Sequence, residues 1–277
     1  RSVRCPAPVG VVRHSYDLFL LNDDALNADF ELLTAHAASQ PIHKSCCVIG
    51  PKDRLFIAEG ASVLGCTLNT MSGPIYIGSG AEVMEGSCLR GPVGVCSNSH
   101  VNMGTKVYGA TTIGPWCKVG GEVNNIVMQG YSNKAHDGFL GNAVIGEWCN
   151  LGAGCVASNL KNDYTEIKLW NYGSRRFLRT GLQFCGLIMG DHSKAGINTM
   201  FNTATTLGVG VNIHGTGFPR NFVASFSEGS PGAGFTDVSL SKFFAIAERV
   251  MQRRGIELSD AYRRMYTAVH TITEQYK

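Results

Sequence analysis

Charge is scarce in this chain. Asp, Glu, Lys and Arg make up 16% of the 277 residues, and the net charge is +3. So weak a balance supplies neither the basic stripe of a nucleic-acid binder nor the polybasic patch of a membrane-surface protein. No apolar run approaches the roughly 20 residues of a spanning helix, and no signal peptide is visible. Zinc pairs are missing too: none of the ten cysteines forms C-x-x-C, and Cys46 and Cys47 are adjacent. Cysteines that pack as small apolar side chains, in that number, point to free thiols and a cytoplasmic location. No nucleic-acid or membrane partner and no metal is expected.

Glycine is plentiful, at 34 residues, and a six-residue rhythm runs through the chain. Ile77, Val83, Leu89, Val95, Val101, Val107, Ile113 and Val119 stand six apart. Neither a helix, at about 3.6 residues per turn, nor a strand alternating every second residue gives this spacing. It marks a hexapeptide solenoid, in which each unit makes one flat face of a prism and sends one side chain to the axis. Glycine follows several of these residues, as in Ile77-Gly78 and Ile113-Gly114, where the chain must turn a corner. Other phases hold Ile57 and Val63, then Phe139, Ile145 and Leu151, then Met189, Ala195, Phe201, Leu207 and Ile213. Breaks at about 121–138 and 157–187 are expected to be loops thrown out from a corner, where chemistry concentrates.

The solenoid is expected over 48–218. Residues 1–47 read as a connecting segment, with Asn22-Asp23 capping a short helix of Leu26, Phe30 and Leu33. Residues 219–277 read as a loop and two helices. One helical stripe runs from Leu240 to Met251 and stops at Gly255; a second starts at a Ser259 cap. These helices are expected to lid the open end of the solenoid, or to sit at a subunit contact.

The first break carries the most specific signal. His136, Phe139, Leu140-Gly141, Ile145-Gly146, Asn150-Leu151-Gly152-Ala153-Gly154 and Asn159 follow one another without a gap. This stretch resembles the acetyltransferase half of the bifunctional N-acetylglucosamine-1-phosphate uridyltransferase/glucosamine-1-phosphate acetyltransferases. With "GEVNN", "SNLKN" and "GLIMGDHSK", the chain looks most like the GlmU-like sugar nucleotidyltransferases of the Bacteroidetes type. The resemblance implies a left-handed parallel β-helix with three strands per coil. It also implies a preceding nucleotidyltransferase domain, whose Gly-rich nucleotide loop is not in this sequence, so the chain reads as a C-terminal part. Its implied activity is acetyl-CoA-dependent N-acetylation of an amino-sugar phosphate in nucleotide-sugar and cell-envelope biosynthesis. The implied assembly is a homotrimer with its site at a subunit junction.

An amine attacking a thioester must lose a proton as the C–N bond forms, and a neutral imidazole can take it at pH 7. The resemblance makes His136 that base. Asp137 either orients the imidazole or simply turns the chain before Gly138. Asn150 and Asn159 match sugar-contacting positions, although Asn also suits tight corners. Lys134 and Lys161 are the nearest cations for the acceptor phosphate. Ser193 and Lys194 are candidates for the pantetheine groove, and Arg220 for the CoA phosphates. Departures stand beside these matches. A Tyr of the family is Phe139 here, and its upstream cations fall near Tyr108 and Asn125. Residues 164–184, with Arg175, Arg176 and Arg179, have no counterpart of that length. Two other readings stay open: a non-catalytic solenoid that trimerises or senses a sugar nucleotide, and a metal hydrolase of the carbonic-anhydrase type. The latter needs two His five residues apart, and His100, His136, His192 and His214 include no such pair.

Overall fold

The computed structural model describes residues 9–277; Cys5 lies outside them. Three faces of parallel strands coil into a prism. The first face carries Cys47–Ile49, Thr67–Asn69, Cys88–Arg90 and Lys106–Tyr108. The second carries Leu55–Ile57, Ile75–Ile77, Val93–Val95 and Thr111–Ile113. The third starts at Ser62–Val63 and forms a ten-stranded sheet, parallel except for its last strand, Gly234–Asp237. The six-residue rhythm is the prism read along the chain. Ile77 pairs with Val95, Val83 with Val101 and Leu89 with Val107, each one coil on. All eight rhythm residues are at most 1% exposed and stack in one axial core. Burying branched apolar side chains at about 25 cal/mol per Å² is what holds such a coil.

The two breaks differ in kind. Residues 121–138 throw out no loop. Glu122–Met128 and Phe139–Ile145 are long strands that cross from the first face to the second; Glu122–Met128 pairs with Lys106–Tyr108 on one and Thr111–Ile113 on the other, and Phe139–Ile145 pairs along it one coil on. The rhythm is lost because corners shorten. The turn Gly120-Gly121 joins third to first face with two fewer residues than Asn102-Met103-Gly104-Thr105 one coil earlier. The second break is a true excursion. It carries an antiparallel hairpin, Lys168–Asn171 with Arg176–Arg179, and the coil resumes where Ile188 pairs with Val144. Nor does the coil stop at 218: Phe222–Val223 and Ser227–Ser230 add parallel strands where a loop is expected.

Buried serines knit the corner between the second and third faces. Ser99 donates to Gly114 O and accepts from Cys117 N. Ser132 does the same with Gly146 O and Cys149 N, and Ser193 with Gly208 O and Val211 N. Each hydroxyl satisfies two backbone groups of the next coil that the corner would leave unpaired.

Helices α1 (Asp17–Leu20) and α2 (Asn22–Thr34) lie on the second face. Asn22 caps nothing: its Nδ2 donates to Ala110 O at 2.6 Å and its Oδ1 accepts from Thr112 Oγ1 at 2.8 Å, which pins α2 to the coil. The segment after α2 seals the first coil, with Gln40 N donating to Ile57 O and Ile42 packing on the core. The hairpin of Ser227–Ser230 and Gly234–Asp237 adds an antiparallel strand at the other end. Helices α3 (Leu240–Gln252) and α4 (Asp260–Thr273) therefore lid neither end. Capped by Ser239 and Ser259, they lie along the corner that displays Tyr131, Trp148, His192 and Phe226, all at φ between 54 and 61°. Tyr131 stacks on Trp148 at 4.1 Å, and Phe243 and Tyr266 meet the His192 ring edge-on.

Candidate functional site

His136 sits in a corner turn, Ala135-His136-Asp137-Gly138, between the third-face strand Asn133–Lys134 and Phe139–Ile145. Three bonds fix its backbone. Lys134 Nζ donates to His136 O at 2.9 Å, Asn102 Nδ2 to Ala135 O at 2.7 Å, and Gly154 N to Asp137 O at 3.0 Å. The turn folds down over Gly120 and Gly121. A Cβ on Gly120 would overlap Ala135 O, and one on Gly121, at φ +72°, would press on Asp137 and Gly138. The short corner below and the longer one above leave the imidazole exposed at a recess. Asp137 is exposed, and among the described residues it makes no hydrogen bond to that ring.

Beside His136 lies a cleft of about 480 Å³ between the third face and the end of α3. Lys118, Asn133 and Asn150 project into it from successive rungs of one ladder. Tyr131 and Trp148 form its apolar wall, and Arg253 and Arg254 reach in from α3. The helix ends there because Gly255, at φ +68°, lets Ile256 N bond back to Met251 O. Arg254 Nη2 donates to Asn133 Oδ1 at 3.2 Å. Three cations thus line a cleft without a lining carboxylate among the described residues, which suits an anionic ligand.

Of the residues singled out by sequence, His136 and Asn150 share this cleft. The others lie elsewhere. Lys134 occupies the inward column, paired with Val119, at 1% exposure. Its ammonium donates to Gly120 O at 2.7 Å and to His136 O, and burial pulls its pKa down to about 8. It supports the turn from inside and offers nothing to a phosphate. Asn159 lies at the opposite end of the first face, its Nδ2 donating to Asn142 Oδ1 at 2.8 Å. Lys161 Nζ bonds Glu166 O within its own loop. Ser193 is a fully buried corner serine, and Lys194 Nζ bonds His192 O at 2.8 Å with its pKa lowered by burial. Arg220 is exposed near the far end of the prism. Arg175 bonds Gln275 and Arg179 pairs with Glu166, outside the cleft. Lys118, Asn133, Arg253 and Arg254 were missed. The paired arginines just before Gly255 were the signal available in the sequence.

Among the described residues no helix is long and apolar enough to cross a membrane, and no group of three His, Cys, Asp or Glu could hold a metal ion. The nine described cysteines are free.

Coil, corner turn and cleft define a hexapeptide-repeat parallel β-helix with a histidine-bearing site. No family model matches the chain. It is related, through this hexapeptide part, to bifunctional sugar-1-phosphate nucleotidyltransferase/acetyltransferases. The bifunctional protein GlmU of Synechococcus elongatus is 26% identical over 172 residues, 60% of this chain and 33% of that one. The bifunctional sugar-1-phosphate nucleotidylyltransferase/acetyltransferase of Sulfurisphaera tokodaii is 28% identical over 147 residues, 52% of this chain and 36% of that one. The chain thus spans about a third of the length of these relatives. Among solved structures, the N-acyltransferase AntD from Bacillus cereus, in complex with dTDP and 3-hydroxybutyryl-CoA, is similar at 12% identity and a TM-score of 0.33, covering 76% of this chain and 92% of that one. The polysialic acid O-acetyltransferase OatWY gives 11% and 0.31, covering 70% and 85%.

Proposed function

We propose that this chain is the acyl-transfer part of an acetyl-CoA-dependent N-acetyltransferase acting on an amino-sugar phosphate. The observation that carries the reading is the convergence of an exposed, backbone-fixed His136 with Asn150 and three cations on one cleft. His136 takes the proton of the acceptor amine as its nitrogen attacks the thioester carbonyl. The C–N bond forms, the C–S bond breaks, and the imidazolium returns the proton to the departing CoA thiolate. Asn150 and Asn133 meet sugar hydroxyls, and Lys118, Arg253 and Arg254 hold the phosphate. The site completes itself against a second copy in a homotrimer. Met103 and Ile197 occupy the turn position of His136 two coils to either side and are 72% and 70% exposed, an apolar edge flanking the base.

The test follows CoA release with glucosamine-1-phosphate and related amino-sugar phosphates. His136→Ala should lower kcat by roughly 10²–10⁴-fold while acetyl-CoA affinity holds, since a general base acts in the transition state. Protein that neither binds acetyl-CoA nor releases CoA with any acceptor would leave a non-catalytic scaffold. Full activity after the substitution would place the base elsewhere.

A further inference from the structure

The hairpin thrown out by the second break roofs a separate cavity of about 560 Å³ on the second face. Ile188 and Thr206, paired across two coils, lie on its floor. Leu207, next to Thr206, points into the core at 2% exposure, so the Thr206 side chain turns outward beneath the hairpin. The Trp170 ring stacks on Phe222 at 4.2 Å. Tyr172, Ile272 and Tyr276 complete a wall that is largely aromatic and apolar. Two polar atoms there are buried without a hydrogen-bond partner among the described residues: Trp170 Nε1 and Thr206 Oγ1. Thr206 is 4% exposed. Leaving such groups unpaired is costly, and a ligand oxygen would relieve it. Arg13 and His14 line one edge, and no carboxylate lines the cavity. The nearby Asp17 carboxylate accepts from the backbone N–H groups of both.

We propose that this cavity is a second binding site, distinct from the His136 cleft, for a small anion: a planar ring bearing carbonyl oxygens, joined directly or through a sugar to a carboxylate or phosphate. The ring lies against the aromatic wall. Both unpaired donors are sealed from solvent here, so Trp170 Nε1 and Thr206 Oγ1 reach the carbonyl oxygens by turning their side chains into the cavity, and Arg13 and His14 meet the anionic group. The size suits such a ligand.

Calorimetry on the full chain tests this with uridine 5′-monophosphate for the phosphate form and orotate for the carboxylate form. At least one should bind saturably at one per chain, and the tighter of the two identifies the anion read. Uridine and ribose 5-phosphate, each lacking one half, should bind at least tenfold more weakly than the monophosphate if that is the form bound. Trp170→Phe, which keeps the stack and removes the N–H, and Thr206→Val, which keeps the shape, should each weaken binding by about tenfold. Arg13→Gln should weaken the anion but not uridine, and His136→Ala should change nothing. The proposal falls if neither probe gives a saturable isotherm, if the monophosphate is the tighter probe and ribose 5-phosphate binds as tightly, or if both isosteric variants bind like wild type.

Discussion

Lys134 is the residue whose place the sequence conceals most. Val83, Val101 and Val119 fill the inward column on the preceding third-face coils, and Lys134 stands next in it. The rhythm would have predicted that, but the shortened Gly120-Gly121 corner shifts the phase, so the lysine reads as a surface cation near His136. Asn159 misleads for a related reason: its distance along the chain from His136 carries it to the far end of the first face, beside Asn142. His136 and Asn150 were legible because a local motif fixes them within a single coil. Burial of Lys134 has a thermodynamic signature. Its folded pKa, about 8, lies below the unfolded value near 10.4. Between these values the unfolded chain holds a proton that the folded chain has released, so raising the pH favours folding. The melting temperature of wild type relative to Lys134→Met should therefore climb from pH 8 to about 10.5, followed by calorimetry. A constant difference across that window would mean the ammonium is not held in the interior.

At the scale of elements, α3 and α4 were legible as amphipathic helices with serine caps, but their destination was not. A helical stripe shows that one face is buried without showing against what. The aromatic corner is spread over Tyr131, Trp148, His192 and Phe226, at no fixed spacing, because a shortened corner and the hairpin excursion fall between them. His192 is the odd member. Burial holds its imidazole down to about 3, and neither ring nitrogen has a partner among the described residues. Below its free value near 6.5 the unfolded chain takes up a proton that the folded chain refuses, so its contribution falls as pH drops from about 6.5 toward 3. Phe226 holds the same corner, at φ 54°, two coils on. His192→Phe should thus be tolerated, and its melting temperature relative to wild type should rise as the buffer goes from pH 7 to 4. If the two proteins lose stability in parallel, the corner histidine does not titrate with unfolding.

For the whole molecule, the rhythm made the solenoid legible as far as Ile213, since every regular coil repeats one demand, an apolar side chain at the axis; the last strands, Phe222–Val223 and Ser227–Ser230, fall among glycines and prolines that read as a loop. Assembly is not written that way, because an exposed side chain at a corner costs the single chain nothing. Met103 and Ile197 nevertheless make the His136 corner the edge expected to meet a second copy. Light scattering should report three chains per particle, and Ile197→Lys should yield single chains with reduced turnover and little change in melting temperature. A particle of one chain at every concentration would refute the trimer. The helix pair has one more consequence. Coils bond only to their neighbours, so a prism of this kind frays from its ends. By touching the corner from Tyr131 through Phe226, α3 and α4 tie several coils into one unit that must let go together. The coils before Val101 carry no such splint on this edge. Heat or tension should therefore open the Cys47 end first, leaving the His136 cleft in the half that yields last.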